Sequence, residues 1–336
     1  MELKSFKQKS EKLIQRIFSN DKSESFENLA LDVFNFQYSE NSIYRQYVNC
    51  LDIRPNNIST IEQIPFIPVE FFKTHDVIVD KRDPEIIFLS SATTGLKQSR
   101  HLVADISIYK QSFLNTFNFF FGNPQDYCFL ALLPSYMERT GSSLIYMINE
   151  LMLISQHPDN GYYLNEYEDI GMKISSLENR QQKYILFGVT YALLDFADSY
   201  NTKLSYGIVM ETGGMKGRRK ELIKPEVYDI LKNKFKTSTI YSEYGMTELL
   251  SQAYSFGDNI FQTPPWMKVL IRDAYDPFYY VENGVSGGIN VIDLANLYSC
   301  SFIETKDLGK MNQNGHFEVL GRFDNSDIRG CNLLVN

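Results

Sequence analysis

The chain has 336 residues, and 33 Lys+Arg against 41 Asp+Glu give it a formal net charge of −8. At roughly 100–200 residues per domain it is one large body or two ordinary domains, and 43% apolar with 22% charged residues is globular composition. The acidic balance argues against a nucleic-acid or anionic-membrane binder, which needs a cationic footprint.

The longest apolar runs, Phe117 to Phe121 and Phe129 to Leu133, fall far short of the ~20 residues that a membrane span requires. Four cysteines, Cys50, Cys128, Cys300 and Cys331, form no CxxC pair, which reads as a reduced, cytoplasmic chain. The histidines, His75, His101, His157 and His316, show no metal-ligand spacing. The N-terminus, MELKSFKQKSEKLIQRIF, is charged and helically periodic, without the apolar core of a signal peptide.

Residues 1 to about 60 carry apolar positions at helical spacing (Phe6, Leu13, Ile14, Ile17, then Phe26, Leu29, Ala30, Val33, Phe34), which predicts an N-terminal helical segment packed on a larger domain. The stretch from Ile64 to Phe72, IPFIPVEFF, has two prolines three apart and predicts a rigid extended connector. From Glu85 the pattern changes. Short apolar runs at Ile86 to Leu89, Cys128 to Leu133, Tyr184 to Phe187 and Ser205 to Met210 alternate with amphipathic helical stretches. Those stretches are Ile106 to Phe121, Ser143 to Leu153, Tyr191 to Tyr200 and Pro225 to Phe235. Such alternation predicts βαβ units and a largely parallel sheet buried on both faces. Past Pro265 the pattern is strands and turns (Glu282-Asn283-Gly284, Gly287-Gly288, Asn312 to Gly315), which predicts a small antiparallel subdomain. The expected division is residues 1–80, 81–263 and 264–336.

Ligands of such sheets bind on the loops beyond the carboxyl ends of the strands. The first such loop runs from Ser90 to His101 and offers Ser90, Ser91, Thr93, Thr94, Gly95 and Lys97, suited to polyphosphate oxygens, with a helix expected to follow. It is not a Walker A loop, since Gly95 is its only glycine. Taken alone, a solvated Ser/Thr-rich turn explains it equally well.

The second loop, Glu211 to Arg219, carries Gly213 and Gly214 and permits close backbone approach to a ligand. The third, Glu243-Tyr244-Gly245-Met246-Thr247-Glu248, combines an aromatic ring, a hydroxyl and a carboxylate able to hold magnesium. The fourth, Glu304 to Gly309, offers Asp307 to vicinal ribose hydroxyls. The fifth, Gly321 to Asp327, brings Arg322 toward the same sugar or a phosphate. Each residue also fits a plain structural role, Asp307 in a turn before glycine or Arg322 in a surface ion pair.

In this order SSATTG, TGGMKG, YGMTE, KDLG and GRFD resemble the motifs of the adenylate-forming superfamily of acyl-CoA synthetases and adenylation domains. IPFIPVEFFKTH, Ser99-Arg100-His101, LPSYMERTGSSL and Asp327-Ile328-Arg329-Gly330-Cys331-Asn332-Leu333 make the chain similar, within it, to acyl-protein synthetases of the LuxE type. The resemblance spans about residues 60 to 333.

It implies an α/β fold with mainly parallel sheets flanked by helices, ATP and magnesium as cofactors, and specific roles. Ser90, Ser91, Thr93, Thr94 and Gly95 would hold the β- and γ-phosphates. Gly213, Gly214 and Tyr244 would border the adenine, and Thr247 would approach the α-phosphate. Glu248 would hold magnesium, and Asp307 and Arg322 the ribose. Ala92 stands where the superfamily usually has glycine. The usual C-terminal domain beyond GRxD is expected to be missing, since twelve residues follow Asp324.

The chemistry implied is activation of a carboxylic acid as an acyl-adenylate, then transfer to a thiol. That thiol is expected to be Cys331, near Arg329, which would favour the thiolate. His101 is a candidate to orient the carboxylate, with a capping or surface role as the alternative. Tyr136, Phe187 and Tyr191 suit an acyl pocket, although core packing explains them as well. Expected partners are the acid and an acyl reductase, acyl-carrier protein or coenzyme A, with no nucleic acid. Direct ligation to coenzyme A or a carrier protein is one rival reading, and a non-catalytic nucleotide-binding module is another.

Overall fold

A computed structural model describes residues 2–19, 23–90, 97–133, 141–213 and 222–323. It divides into two compact units, the first within residues 1–87, 92–108 and 265–336, the second within 88–91 and 109–264. In chain order the helices are α1 (Glu2–Ile17), α2 (Phe26–Glu40), α3 (Ser42–Cys50), α4 (Phe71–Thr74), α5 (Ile106–Phe121), α6 (Ser143–Ser155), α7 (Tyr167–Asn179), α8 (Thr190–Ser199) and α9 (Lys224–Phe235).

The first unit begins with the expected helices. Phe6, Ser10, Leu13 and Ile17 form the buried stripe of α1, and Leu29, Ala30, Val33, Phe34, Phe36 and Gln37 that of α2. Buried Gln37 donates through Nε2 to the carbonyls of Asn296 (3.0 Å) and Leu297 (2.9 Å) and accepts from Ser301 N–H (3.0 Å). Asn41 accepts from Tyr44 N–H as the cap of α3 and donates to the Ser299 carbonyl. These two amides tie the N-terminal helices to the turn at 296–301.

The sheet of this unit comprises β11 (Met267–Arg272), β12 (Ser286–Asp293), β13 (Phe302–Met311) and β14 (Phe317–Arg322), antiparallel in sequence order. The strands predicted from the turn signals are thus antiparallel, within a unit that also holds residues 1–87 and 92–108. The segment expected as a plain extended connector does more than connect. Its β1 (Ile67–Pro68) pairs in parallel with β13, Val69 N–H donates to the Glu304 carbonyl, and helix α4 follows at once. Pro68, with no N–H to give, is tolerated in such a two-residue strand.

Gly287 and Gly288 also differ from expectation, lying inside β12 rather than in a turn. A Cβ on Gly288 would come within 2.4 Å of the Arg272 guanidinium carbon, so the glycine makes room for a buried arginine. Arg272 donates to the carbonyls of Ile289 and Thr305 and to Asn290 Oδ1, at 2.8–3.0 Å, and lies 3.3 Å from Glu304.

In the second unit, β4 (Cys128–Leu132), β5 (Gly161–Tyr163), β6 (Tyr184–Gly188), β7 (Gly207–Glu211) and β8 (Tyr241–Tyr244) run parallel in the order β5-β4-β6-β7-β8. Beyond β8, β9 (Ala253–Ser255) and β10 (Ile260–Gln262) continue antiparallel. Every residue of β4 and β6 is buried, as a strand covered on both faces requires. Helices α6, α8 and α9 fall where the periodicity predicts them. Helix α7 was not among the predicted elements, although it buries Ile170, Ile174 and Leu177 at helical spacing.

Candidate active site

The parallel register brings the ends of β6, β7 and β8 side by side, with Gly188 opposite Glu211 and Glu211 opposite Ser242. Glu211 is fully buried and accepts hydrogen bonds from the Thr190 hydroxyl, Gly213 N–H (2.8 Å), the Lys224 ammonium and Ser242 Oγ (3.1 Å). Tyr228 OH lies 2.6 Å from Ser242 Oγ and extends the network into α9. Burial alone would raise the Glu211 carboxyl. The Lys224 charge and hydrogen bond, with Thr190 and Ser242, outweigh it and hold the group below the usual carboxylate range.

The loop after β7 is pinned in consequence. Thr212 N–H donates to the Gly188 carbonyl at 3.0 Å, and Gly213 takes φ +78°, with no atom of the described residues within 4 Å of where its Cβ would stand. A positive φ is a conformation that glycine adopts without strain. The sequence motifs alone do not single out Glu211 and Lys224 as an ion pair. The available signal was a carboxylate ending an apolar strand, which needs a counter-charge when buried.

At the end of β8, Tyr244 is nearly buried and meets the Phe261 ring at 5.9 Å, followed by half-buried Thr247 and buried Glu248. Ser90 is half-buried just after β2 (Ile86–Leu89). The second unit thus carries Ser90, Gly213, Tyr244, Thr247 and Glu248 at or beyond strand ends. Among the described residues no three His, Cys, Asp or Glu side chains stand close enough to hold a metal. A single carboxylate such as Glu248 fits a magnesium ion held mainly by substrate phosphates, the usual arrangement for that ion.

The first unit carries His101, Asp307 and Arg322. His101 lies in β3 (Arg100–Val103), a strand that intervenes before the expected helix. It is completely buried, with Nε2 2.9 Å from Asn296 Oδ1 and the Phe72 ring edge-on at 5.7 Å. This is a packed, hydrogen-bonded histidine, neither a helix cap nor a surface group. Asp307 sits within β13, not in a turn; a bulge between Leu308 and Gly309 follows it. Its register partner is Arg322, and the two form an ion pair.

Cys128 and Cys300 are buried, and desolvation pushes both thiols up to about 12; Cys50 is exposed at the end of α3. Ser91, Thr93, Thr94, Gly95, Gly214, Tyr136 and Cys331 lie outside the described residues.

A family model described as acyl-protein synthetase, LuxE, matches residues 15–118. No curated protein sequence matches the chain. Among solved structures, ATP-bound MatB from Rhodopseudomonas palustris superimposes with a TM-score of 0.55 at 17% identity, covering 73% of this chain and 49% of its own. This chain therefore spans about half the length of that relative. A 2-hydroxyisobutyryl-CoA ligase in the postadenylation state gives 0.65 at 9% identity, covering 92% of this chain and 73% of its own. The luciferase-like enzyme of the nonluminescent mealworm Zophobas morio gives 0.50 at 16% identity, covering 74% and 59%. Likeness at such identities is likeness of fold. The chain has the fold of adenylate-forming enzymes and is similar in sequence, over residues 15–118, to the LuxE acyl-protein synthetases.

Proposed function

We propose that this protein activates a carboxylic acid with ATP and passes the acyl group to a thiol. The substrate carboxylate attacks the α-phosphorus of ATP, forming an acyl-adenylate and releasing pyrophosphate. A thiolate then attacks the acyl carbon, forming a thioester and releasing AMP; the proton of the thiol goes to solvent. The observation that carries the reading is the pinned loop after β7. Glu211, charged and saturated with hydrogen bonds, fixes Gly213, near whose Cβ position no described residue stands, one strand from Tyr244 and Thr247.

Such catalysis is mainly positioning and neutralisation of developing charge. In this reading Gly213 and Tyr244 border the adenine, Thr247 approaches the α-phosphate and Asp307 meets the ribose. Ser90, Ser91, Thr93, Thr94 and Gly95 receive the outer phosphates, and Glu248 would hold magnesium, which would neutralise phosphate charge. Cys331 is the proposed acyl carrier, for delivery to a reductase, carrier protein or coenzyme A. His101, buried with Nε2 2.9 Å from Asn296 Oδ1, is the proposed group to orient the carboxylate.

The test is ATP–pyrophosphate exchange with a panel of carboxylic acids, followed by intact-mass measurement. Exchange dependent on an acid is expected, with an acyl adduct that is absent in Cys331→Ser. No exchange with any acid would leave a nucleotide-binding module. An unmodified protein that still forms acyl-CoA would move the acceptor away from Cys331.

A further inference from the structure

The two faces of β8 differ in chemistry. Ser242 faces the Glu211 network, whereas Glu243, by strand alternation, shares the other face with its antiparallel partner Tyr254. The register also places Phe187, Met210 and Tyr241 on that second face, Phe187 being a residue that the sequence offered for an acyl pocket. The Tyr254 ring packs on Phe120 and Phe121 of α5, at 5.7 and 5.0 Å. One register step on, Gln252 stands opposite Gly245. A Cβ on Gly245 would come within 2.3 Å of Glu243 Oε1 and 3.5 Å of Gln252 Cγ. The Glu243 carboxyl therefore lies folded over the bare face of Gly245, beside Gln252.

Three polar groups on this face lack hydrogen bonds among the described residues. Tyr254 is 1% and Gln252 4% exposed, and neither Tyr254 OH nor Gln252 Oε1 has a partner. The Glu243 carboxyl makes none either; Glu243 is half-buried and Gly245 beside it is exposed, so this face reaches the surface at Gly245. Native interiors satisfy such groups, with protein or with something bound.

Resting on the adenylation reading, the geometry points to an acyl substrate that carries a hydroxyl group, received by Glu243, Gln252 and Tyr254, rather than a plain hydrocarbon chain. A hydroxyl both donates and accepts. It can donate to Gln252 Oε1 and accept from Tyr254 OH or the acid proton of Glu243. Burial, and then the charge of Glu211, push the Glu243 carboxyl up to about 8, so at neutral pH it is mainly the protonated donor. A hydrocarbon chain in the same place would strand all three groups, and a site built to hydrogen-bond a hydroxyl discriminates strongly against the analogue lacking it.

The experiment compares matched straight-chain acids, with and without a single hydroxyl at successive positions, by acid-dependent ATP–pyrophosphate exchange. The wild-type protein is expected to favour one hydroxy acid by about 10-fold or more in kcat/KM over its unsubstituted counterpart. Tyr254→Phe and Glu243→Leu should each reduce that preference toward unity. The wild-type preference is itself decisive should either variant fail to fold. Exchange that favours the unsubstituted acids, or variants that slow both acids equally, would overturn this inference and leave adenylation standing. No exchange with any acid would overturn both.

Discussion

Asp307 and Arg322 stand opposite each other on neighbouring antiparallel strands, with the guanidinium Nε 3.2 Å from Asp307 Oδ1. The pair is uneven, since the Asp307 side chain is 11% exposed and that of Arg322 73%. A mostly buried carboxylate held by an exposed cation suits hydroxyls arriving from solvent. Asp307→Ala should raise the KM for ATP roughly 10- to 100-fold, the worth of hydrogen bonds to a charged group. Arg322→Ala should change stability by less than about 1 kcal/mol, as for an exposed ion pair. Steady-state kinetics and urea denaturation read the two. An unchanged KM in Asp307→Ala would remove the ribose role.

Lys224 compensates a carboxylate with no access to water. Lys224→Met leaves that charge buried with only hydroxyl and amide donors, so a loss of about 3–5 kcal/mol is expected by denaturation at neutral pH. The pH sign follows from the depressed carboxyl. The folded state prefers the charged form, so this stabilisation is present above the ordinary value of 4.5 and is lost as pH falls below it. Lys224→Met should therefore lose less on acidification than the wild type.

Glu243 has the opposite sign. Its carboxyl rises from 4.5 to about 8, so the folded state prefers the neutral form. That preference is intact below about 4.5 and is lost as pH rises toward about 8, a cost on the order of a few kcal/mol. Glu243→Gln, neutral throughout, should show a flatter stability profile across this window and exceed the wild type on its alkaline side. Parallel profiles for the two proteins would mean that the carboxyl is ionised at neutral pH.

Gly288→Ala tests the space that Arg272 occupies. The new methyl would strike the guanidinium, which is held by three backbone or amide oxygens and Glu304. Displacing it strands those acceptors as well as an arginine, so a loss of about 2–4 kcal/mol is expected. Gly284→Ala, at φ +88° with nothing near its Cβ, should cost about 1 kcal/mol through backbone strain alone. Denaturation midpoints separate the two mechanisms.

Cys128 and Cys300 should resist alkylation in the folded protein, because thiols near 12 carry almost no thiolate at neutral pH and both are buried. Mass mapping after brief iodoacetamide treatment should find them modified only in denaturant. Rapid labelling of either in the native state would contradict their packed environment.

The sequence by itself determined the alternation of β4, β6 and β7 with α6, α8 and α9, because hydrophobic period and helix length are local properties. It likewise determined the antiparallel character of the last strands, through turn residues such as Gly284 and Gly315 at positive φ, and the positions of Gly213 and Tyr244 at strand ends. Only the tertiary structure decided who meets whom. Glu211 and Lys224 form an ion pair thirteen residues apart in sequence, and His101 reaches Asn296 across 195. Gly287 and Gly288 lie in a strand because Arg272 needs their space, and Asp307 faces Arg322 because β13 and β14 pair in that register. Polar partners brought together by strand register leave no periodic trace in the chain. For that reason the Glu243, Gln252 and Tyr254 face, too, became legible only once β8 and β9 were paired.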